Sequence, residues 1–164
     1  MRTLYGTDAD YAKRWMTVAL AVAAKAKCLK AKCGTVIVAD GQIIGEGYNA
    51  PPLDREEHRV CLETFPTGKP KYDRTCCIHA EWRAILDAAK RHPLSLPGSQ
   101  LYFARLGDDG AMAFSGQPFC TVCSRLALDN GIVEFLLWHE QGITAYETGE
   151  YNRLSYAYEH PKSA

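Results

Sequence analysis

The sequence predicts an α/β fold, a sheet sandwiched between helices, from three observations. Helical and strand periodicities alternate along the chain as helix, hairpin, helix, strand, helix, strand, helix. Thr35-Val36-Ile37-Val38-Ala39 is β-branched and nearly continuous in apolar character, as a strand buried on both faces requires. Asp40-Gly41 follows it directly, a strong two-residue hairpin signal. The chain of 164 residues suits a single domain, 1–164, with an insertion at about 53–75 and a C-terminal extension from about 139.

The elements can be justified in order. Thr7 or Asp8 can cap a first helix, with Asp10 in its first turn. Tyr11, Trp15, Val18, Val22, Ala26 and Leu29 recur at steps of three and four, one face of a helix running to about residue 30. Lys13-Arg14 before the apolar run 15–24 has the outline of a signal peptide, but Asp8 and Asp10 precede it and three lysines follow. The run is also far short of a membrane span. An amphipathic helix is the better reading. Gly34 closes this segment. Gln42-Ile43-Ile44-Gly45-Glu46 is the returning strand of the hairpin, and Pro51-Pro52 ends it. Tyr48 and Asn49 then sit at a strand end facing a loop, where side chains either bind a ligand or make a local turn bond.

Residues 53–75 show no sustained periodicity and carry Arg55, Arg59, Lys69, Lys71 and Arg74. His58-x-x-Cys61 followed by Cys76 or Cys77 offers candidate ligands for a second, structural zinc; the alternative is that these residues are unligated. A second helix runs from His79 to about Arg91 with Trp82, Ile85, Leu86 and Ala89 on its apolar face, and His92-Pro93 stops it. Residues 100–105 form a strand, 111–114 a short one, and 119–129 a helix ended by Asn130-Gly131. A strong strand covers 132–138, an extended piece 143–146, and a last helix about 147–158, with Leu154 and Tyr158 four apart.

The totals restrict function. Lys plus Arg and Asp plus Glu both number 19, so the net charge is zero and a broad nucleic-acid footprint is not expected. Seven cysteines, an odd number in a chain too long to be a small secreted scaffold, point to metal binding in a reducing, cytoplasmic compartment. The chemistry concentrates in His79-Ala80-Glu81 and in Pro118-Phe119-Cys120-Thr121-Val122-Cys123. Cys120 and Cys123 are three apart and share a helix face. At a helix start their thiolates meet the positive end of the helix dipole. His79 and Glu81, two apart, can face one site only at a helix start. The two helix N-termini then meet above the ends of the central strands. His79, Cys120 and Cys123 make three protein ligands for Zn²⁺, leaving the fourth position to water, the mark of a catalytic zinc. Glu81 is then the general base and acid.

At these residues the chain resembles the zinc-dependent cytidine/deoxycytidylate deaminase superfamily, whose signature is H-x-E followed by P-C-x-x-C with the Glu not a ligand. The segment from Cys33 to Pro51 is similar to that family's opening hairpin and Gly-Tyr-Asn-x-x-Pro segment, and Cys77-Ile78-His79-Ala80-Glu81 to its metal helix. The resemblance implies a three-layer α/β/α sandwich on a mixed sheet of about five strands, with hydrolytic release of ammonia from an amidine-like ring carbon. The deoxycytidylate branch, with its long Cys- and His-bearing insertion, fits best and implies a free pyrimidine nucleotide such as dCMP. Other free bases or nucleosides (cytidine, guanine, a modified ring) are the alternative enzyme reading, and a non-catalytic zinc module the non-enzyme one. By the same resemblance Asn49 holds the sugar or base, the Ala80 backbone meets the base edge, and homo-oligomers complete their pockets across subunits. Lys69, Lys71 and Arg74 are candidates for a substrate phosphate. The chain departs from the family pattern in Phe119, which separates Pro118 from Cys120, in the long link from Arg105 to Gln117, and in its tyrosine-rich tail.

Overall fold

A computed structural model of the chain describes residues 1–61 and 76–158. Lys69, Lys71, Arg74 and the turn at 66–70 lie outside the described residues, as does most of the insertion. The elements are β1 (Arg2–Thr3), α1 (Gly6–Ala23), β2 (Lys32–Ala39), β3 (Gln42–Tyr48), α2 (Ala80–Arg91), β4 (Gln100–Leu106), β5 (Met112–Ala113), α3 (Thr121–Asp129), β6 (Glu134–His139), β7 (Gly142–Glu147) and α4 (Thr148–Ala157). The sheet runs β1-β7-β6-β4-β2-β3, with β5 on the end of β4. Among the described residues only β4 and β6 are parallel; the other pairings are antiparallel.

The three-layer α/β/α sandwich is as expected, but among the described residues the sheet has seven strands rather than about five. β1 is two residues long, too short to show a period of two in the sequence, and β5 is the short strand expected at 111–114, reduced to two residues. β7 pairs with β6 through a tight turn, His139 opposite Gly142.

Strand alternation sorts the core into two layers. Val36, Val38, Tyr102, Ala104, Leu136, Ile143 and Ala145 point to one face and pack on Trp15, Met16, Ala19 and Val22 of α1. Ile37, Leu101, Phe135, Leu137 and Tyr146 point to the other, against Ala84, Ile85 and Ala88 of α2, Ala127 of α3 and Tyr151 of α4.

Helix α1 ends at Ala23, well before residue 30, and buries Ala12, Trp15, Met16, Ala19, Val22 and Ala23. Tyr11 and Leu29, expected on the buried face, are exposed. Tyr5 occupies the N-cap rather than Thr7 or Asp8. The small residues on the inner face explain the shift. Gly34 lies inside β2, and a Cβ there would fall 2.2 Å from Ala19 O and 2.3 Å from Ala23 N. Only backbone-on-backbone packing brings helix and strand this close. Helix α2 is seated the same way. A Cβ at Gly47 would lie 2.2 Å from Ala80 O and 2.4 Å from Ala84 N. Leu86, expected in the buried face of α2, points outward.

Gly47→Ala is therefore expected to lower stability by about 1–3 kcal/mol, since helix backbone must move. Gly149→Ala in α4, where a Cβ meets nothing nearer than 3.8 Å, is the matched control. It should be neutral or stabilise by up to about 1 kcal/mol. Chemical denaturation of the two variants tests this; equal midpoints would refute the close-packing argument.

Candidate active site

Two helix starts converge on the α2/α3 side of the sheet. Ile78, just ahead of α2, pairs with Ala50 in an isolated bridge (N–H to O, 2.9 and 3.3 Å), which fixes His79 beside the end of β3. Arg83 strengthens this clamp by donating to Pro51 O (2.9 Å) and pairing with Asp54 (2.7 Å). Helix α3 is the crossover between the parallel strands β4 and β6, so its N-terminus lies beyond the C-terminal end of β4.

His79 is the N-cap residue of α2 and Cys120 that of α3. Cys120 Sγ accepts the Cys123 N–H (3.2 Å), so the thiol does the work usually done by a Ser or Asp cap. His79 Nδ1 lies 3.1 Å from Cys123 Sγ and 3.4 Å from Cys120 Sγ. Ligands around a tetrahedral zinc with ordinary Zn–N and Zn–S bonds stand about 3.6 Å apart, so this imidazole and two thiols fit the ion. Among the described residues this is the one group of three candidate ligand atoms lying within 4.8 Å of one another. The two thiols differ. Cys120 is drawn down to about 5 by the hydrogen bond from Cys123 and by His79. Cys123 is fully buried, and that burial pushes its thiol up. Holding a cation requires both thiols as thiolates, so the buried Cys123 must give up its proton to the ion.

Glu81, at the second position of α2, is 7% exposed and turned inward beside the cluster. Burial pushes its carboxyl above the ordinary range, the nearby Cys120 adds to this, and His79 opposes it. Ala80, the first residue of α2, is buried, and its N–H belongs to the turn that lacks intrahelical acceptors.

The cluster stands at the wall of a cavity of about 430 Å³, within the range of small-molecule sites. Cys33, Phe103 and Leu137 line it from the sheet, and Asn49, Ala80, Glu81, Phe119 and Tyr151 from around it. Asn49 is committed on two sides. Its Oδ1 accepts the Cys33 N–H (2.9 Å) and its Nδ2 donates to Ala31 O (2.8 Å). One N–H and one lone pair of the carboxamide are left for a ligand. Asn49 therefore makes the local bonds and also lines the cavity.

Tyr48 does not line this cavity. Because Gly45 and Gly47 face α2, the alternation turns Tyr48 toward the α1 layer. There its hydroxyl bonds Asp54 and its ring lies under Arg83, 5.1 Å from the guanidinium carbon. The second-metal expectation for His58, Cys61 and Cys76 fares similarly among the described residues. His58 is exposed on a single 3₁₀ turn, Glu56–His58, and the three do not form a compact ligand group. Cys76 instead accepts the Val60 N–H (3.3 Å) and neighbours Cys61 and Cys77.

Tyr151 escaped the sequence reading. It is buried, stacks on Phe135 (centroids 4.1 Å apart, 22° between planes), and its phenol lies near Glu81, Cys123 and Cys120. Thr148, Tyr151 and Ser155 make the buried face of α4, spaced three and four. That spacing is present in the sequence, but the more apolar Leu154 stands on the exposed side of the helix. Ser124 of α3 donates to Asn152 Oδ1 (2.7 Å), which locks α4 against the zinc-ligand helix.

Comparison with known proteins agrees with this geometry. The family model for the "Cytidine and deoxycytidylate deaminase zinc-binding region" matches residues 10–138. The deoxycytidylate deaminase of Mycobacterium phage D29 is 28% identical over 130 residues, 75% of this chain and 90% of that protein. The deoxycytidylate deaminase of Saccharomyces cerevisiae is 28% identical over 128 residues, 73% of this chain; the chain spans only 35% of that relative's length. Among solved structures, cytidine deaminase from Burkholderia pseudomallei superposes with a TM-score of 0.57 at 17% identity, covering 85% of this chain and 94% of that one. The dCMP deaminase of cyanophage S-TIM5, in complex with dCMP and dUMP, does so with a TM-score of 0.52 at 20% identity, covering 80% and 82%. At these identities the two structures speak for the shared fold.

Proposed function

Because the chain belongs to the cytidine and deoxycytidylate deaminase zinc-binding family, we propose that it catalyses zinc-dependent hydrolytic deamination of a free pyrimidine nucleotide, dCMP or a close relative, with release of ammonia. The observation that carries this reading is Glu81, a carboxylate buried beside a three-ligand metal cluster at the wall of a nucleotide-sized cavity. A purely structural zinc has no use for such a group. In this reading His79, Cys120 and Cys123 hold the ion. When bound, zinc supplies Lewis acidity, which brings the pKa of a coordinated water toward about 7.

The chain's own residues do the rest. Glu81 accepts one proton of the attacking water and passes it to the ring nitrogen, then carries the second, from the hydroxyl now on the ring carbon, to the departing amine. The ring carbon gains a carbonyl oxygen and ammonia leaves, so atoms balance. The Ala80 N–H donates to the ring carbonyl edge. Asn49 offers its remaining N–H to the sugar. Phe103, Leu137 and the Tyr151–Phe135 stack exclude bulk water from the base. The same reading places the enzyme in the cytoplasm as a homo-oligomer. In support of a reducing compartment, none of the seven cysteines is in a disulfide. Among the described residues no helix is long and apolar enough to cross a membrane.

Ammonia release from a panel of cytosine nucleotides, cytosine nucleosides and guanine, with and without a chelator, tests the proposal. Chelator-sensitive turnover with dCMP as the best substrate is expected. A panel with no turnover in zinc-loaded protein would leave only the non-catalytic reading.

A further inference from the structure

Among the described residues Glu81 is the only acidic one lining the cavity, and it is buried; two cations, Lys30 and Arg105, line it as well. Neither cation forms an ion pair among the described residues, whereas other charged groups of the chain, such as Arg83, Arg91 and Lys25, do. Arg105 is placed by register. It stands opposite Cys33 in the β2–β4 ladder, and cross-strand partners project to the same face. Cys33 and Phe103 both line the cavity, so Arg105 is the last inward position of β4 before the chain leaves for the β5 turn. Lys30 lines the cavity from the segment two residues before β2 begins. Cys33 feels the charges of both Glu81 and Arg105. The pocket therefore runs from a buried acid at the reacting end, past Cys33, to a cation at the open end.

The elements that finish this open end are the chain's own. β5 pairs Ala113 with Arg105, and the chain then passes through Ser115 and Gln117, which also line the cavity, before reaching Phe119 and Cys120. Ser115 is fixed to the C-terminal end of β6 by exchange with Trp138: its N–H donates to Trp138 O (2.8 Å), and its hydroxyl accepts the Trp138 N–H (3.2 Å). Gln117 lies on the stretch held between this anchor and the α3 N-cap.

We infer that Arg105, assisted by Lys30 and Gln117, is the specificity-determining subsite for the 5′-phosphate of the substrate. This rests on the deaminase reading above and adds which residues tell a nucleotide from its nucleoside. Guanidinium and phosphate match in geometry and bond through charge-assisted pairs, which makes Arg105 the principal contact. It also moves the recognition of phosphate from the insertion, where Lys69, Lys71 and Arg74 stand, to the end of β4.

The test compares kcat/KM for dCMP and deoxycytidine in the wild type, Arg105→Gln, Arg105→Lys and Lys30→Gln, together with calorimetric binding of dUMP and deoxyuridine. Arg105→Gln should lose about 10- to 100-fold in kcat/KM for dCMP and in affinity for dUMP, the worth of one charged hydrogen-bonded contact. Deoxycytidine and deoxyuridine should be unaffected. Arg105→Lys should recover part of the loss, and Lys30→Gln should lose less. Equal changes for nucleotide and nucleoside, or none for either, overturn the subsite while leaving the deaminase reading standing. A wild type that handles dCMP no better than deoxycytidine overturns it as well. Absence of turnover on both compounds by zinc-loaded wild type overturns the deaminase reading, and calorimetry with dUMP then decides the subsite by itself.

Discussion

Glu81→Gln lowers ammonia release by about 10²- to 10⁴-fold, the usual contribution of a positioned general acid–base, while zinc content and thermal midpoint stay at wild-type values. The substitution is isosteric, so the buried site is not opened. The reason for separating loss of turnover from loss of metal lies in the geometry. The three candidate ligands come from the N-cap of α2 and the first turn of α3, and Glu81 is not among them. Removing its charge takes away the proton acceptor without touching the metal shell. It also relieves the burial that presses the carboxyl toward its neutral form. Metal analysis alongside turnover decides the matter. If Glu81→Gln still releases ammonia at the wild-type rate, the assigned role is wrong; if it loses zinc, Glu81 belongs to the shell.

The second large effect is on stability. Stripping zinc should lower the thermal midpoint by roughly 8–16 °C. An ion present at about 1,000 times its dissociation constant stabilises by about 4 kcal/mol, and a domain of this length shifts by about 2–4 °C per kcal/mol. The metal would join two helices that are otherwise linked through the sheet and through few direct contacts. Without it, a fully buried Cys123 must keep its proton beside Cys120 and His79. Cys123→Ala should abolish the response, its midpoint being the same with and without chelator. Scanning calorimetry of both proteins in matched buffers is the measurement. A wild type insensitive to a strong chelator would sink the zinc-clamp account, as would a Cys123→Ala protein that still responds.

Much of this site was legible because its chemistry is written in short spacings. C-x-x-C at a helix start and H-x-E ahead of a helical pattern can be read without a fold. His79 and Cys120 are the N-cap residues of α2 and α3. Tyr48 and Tyr151 show where such reading fails. Tyr48 sits in a strong motif yet points to the wrong face, because a strand alternates at every residue and Gly47 takes the position against α2. Tyr151 sits in no motif and reaches the site, because β7 returns the chain under α3 and the Ser124–Asn152 bond fixes α4 there.

The sequence by itself determined the layered α/β architecture, the hairpin at Asp40-Gly41, the candidate metal ligands and the candidate acid–base residue. Periodicity and ligand spacing are local properties, carried within ten or so residues. Only the tertiary structure decided that the sheet has seven strands, that α1 packs through Ala19 and Ala23 rather than through Tyr11 and Leu29, and that Arg105 shares a cavity with Glu81. Each of these depends on register, on which residue stands opposite which across a sheet. A shift of one residue there exchanges the two faces, and no local pattern records it.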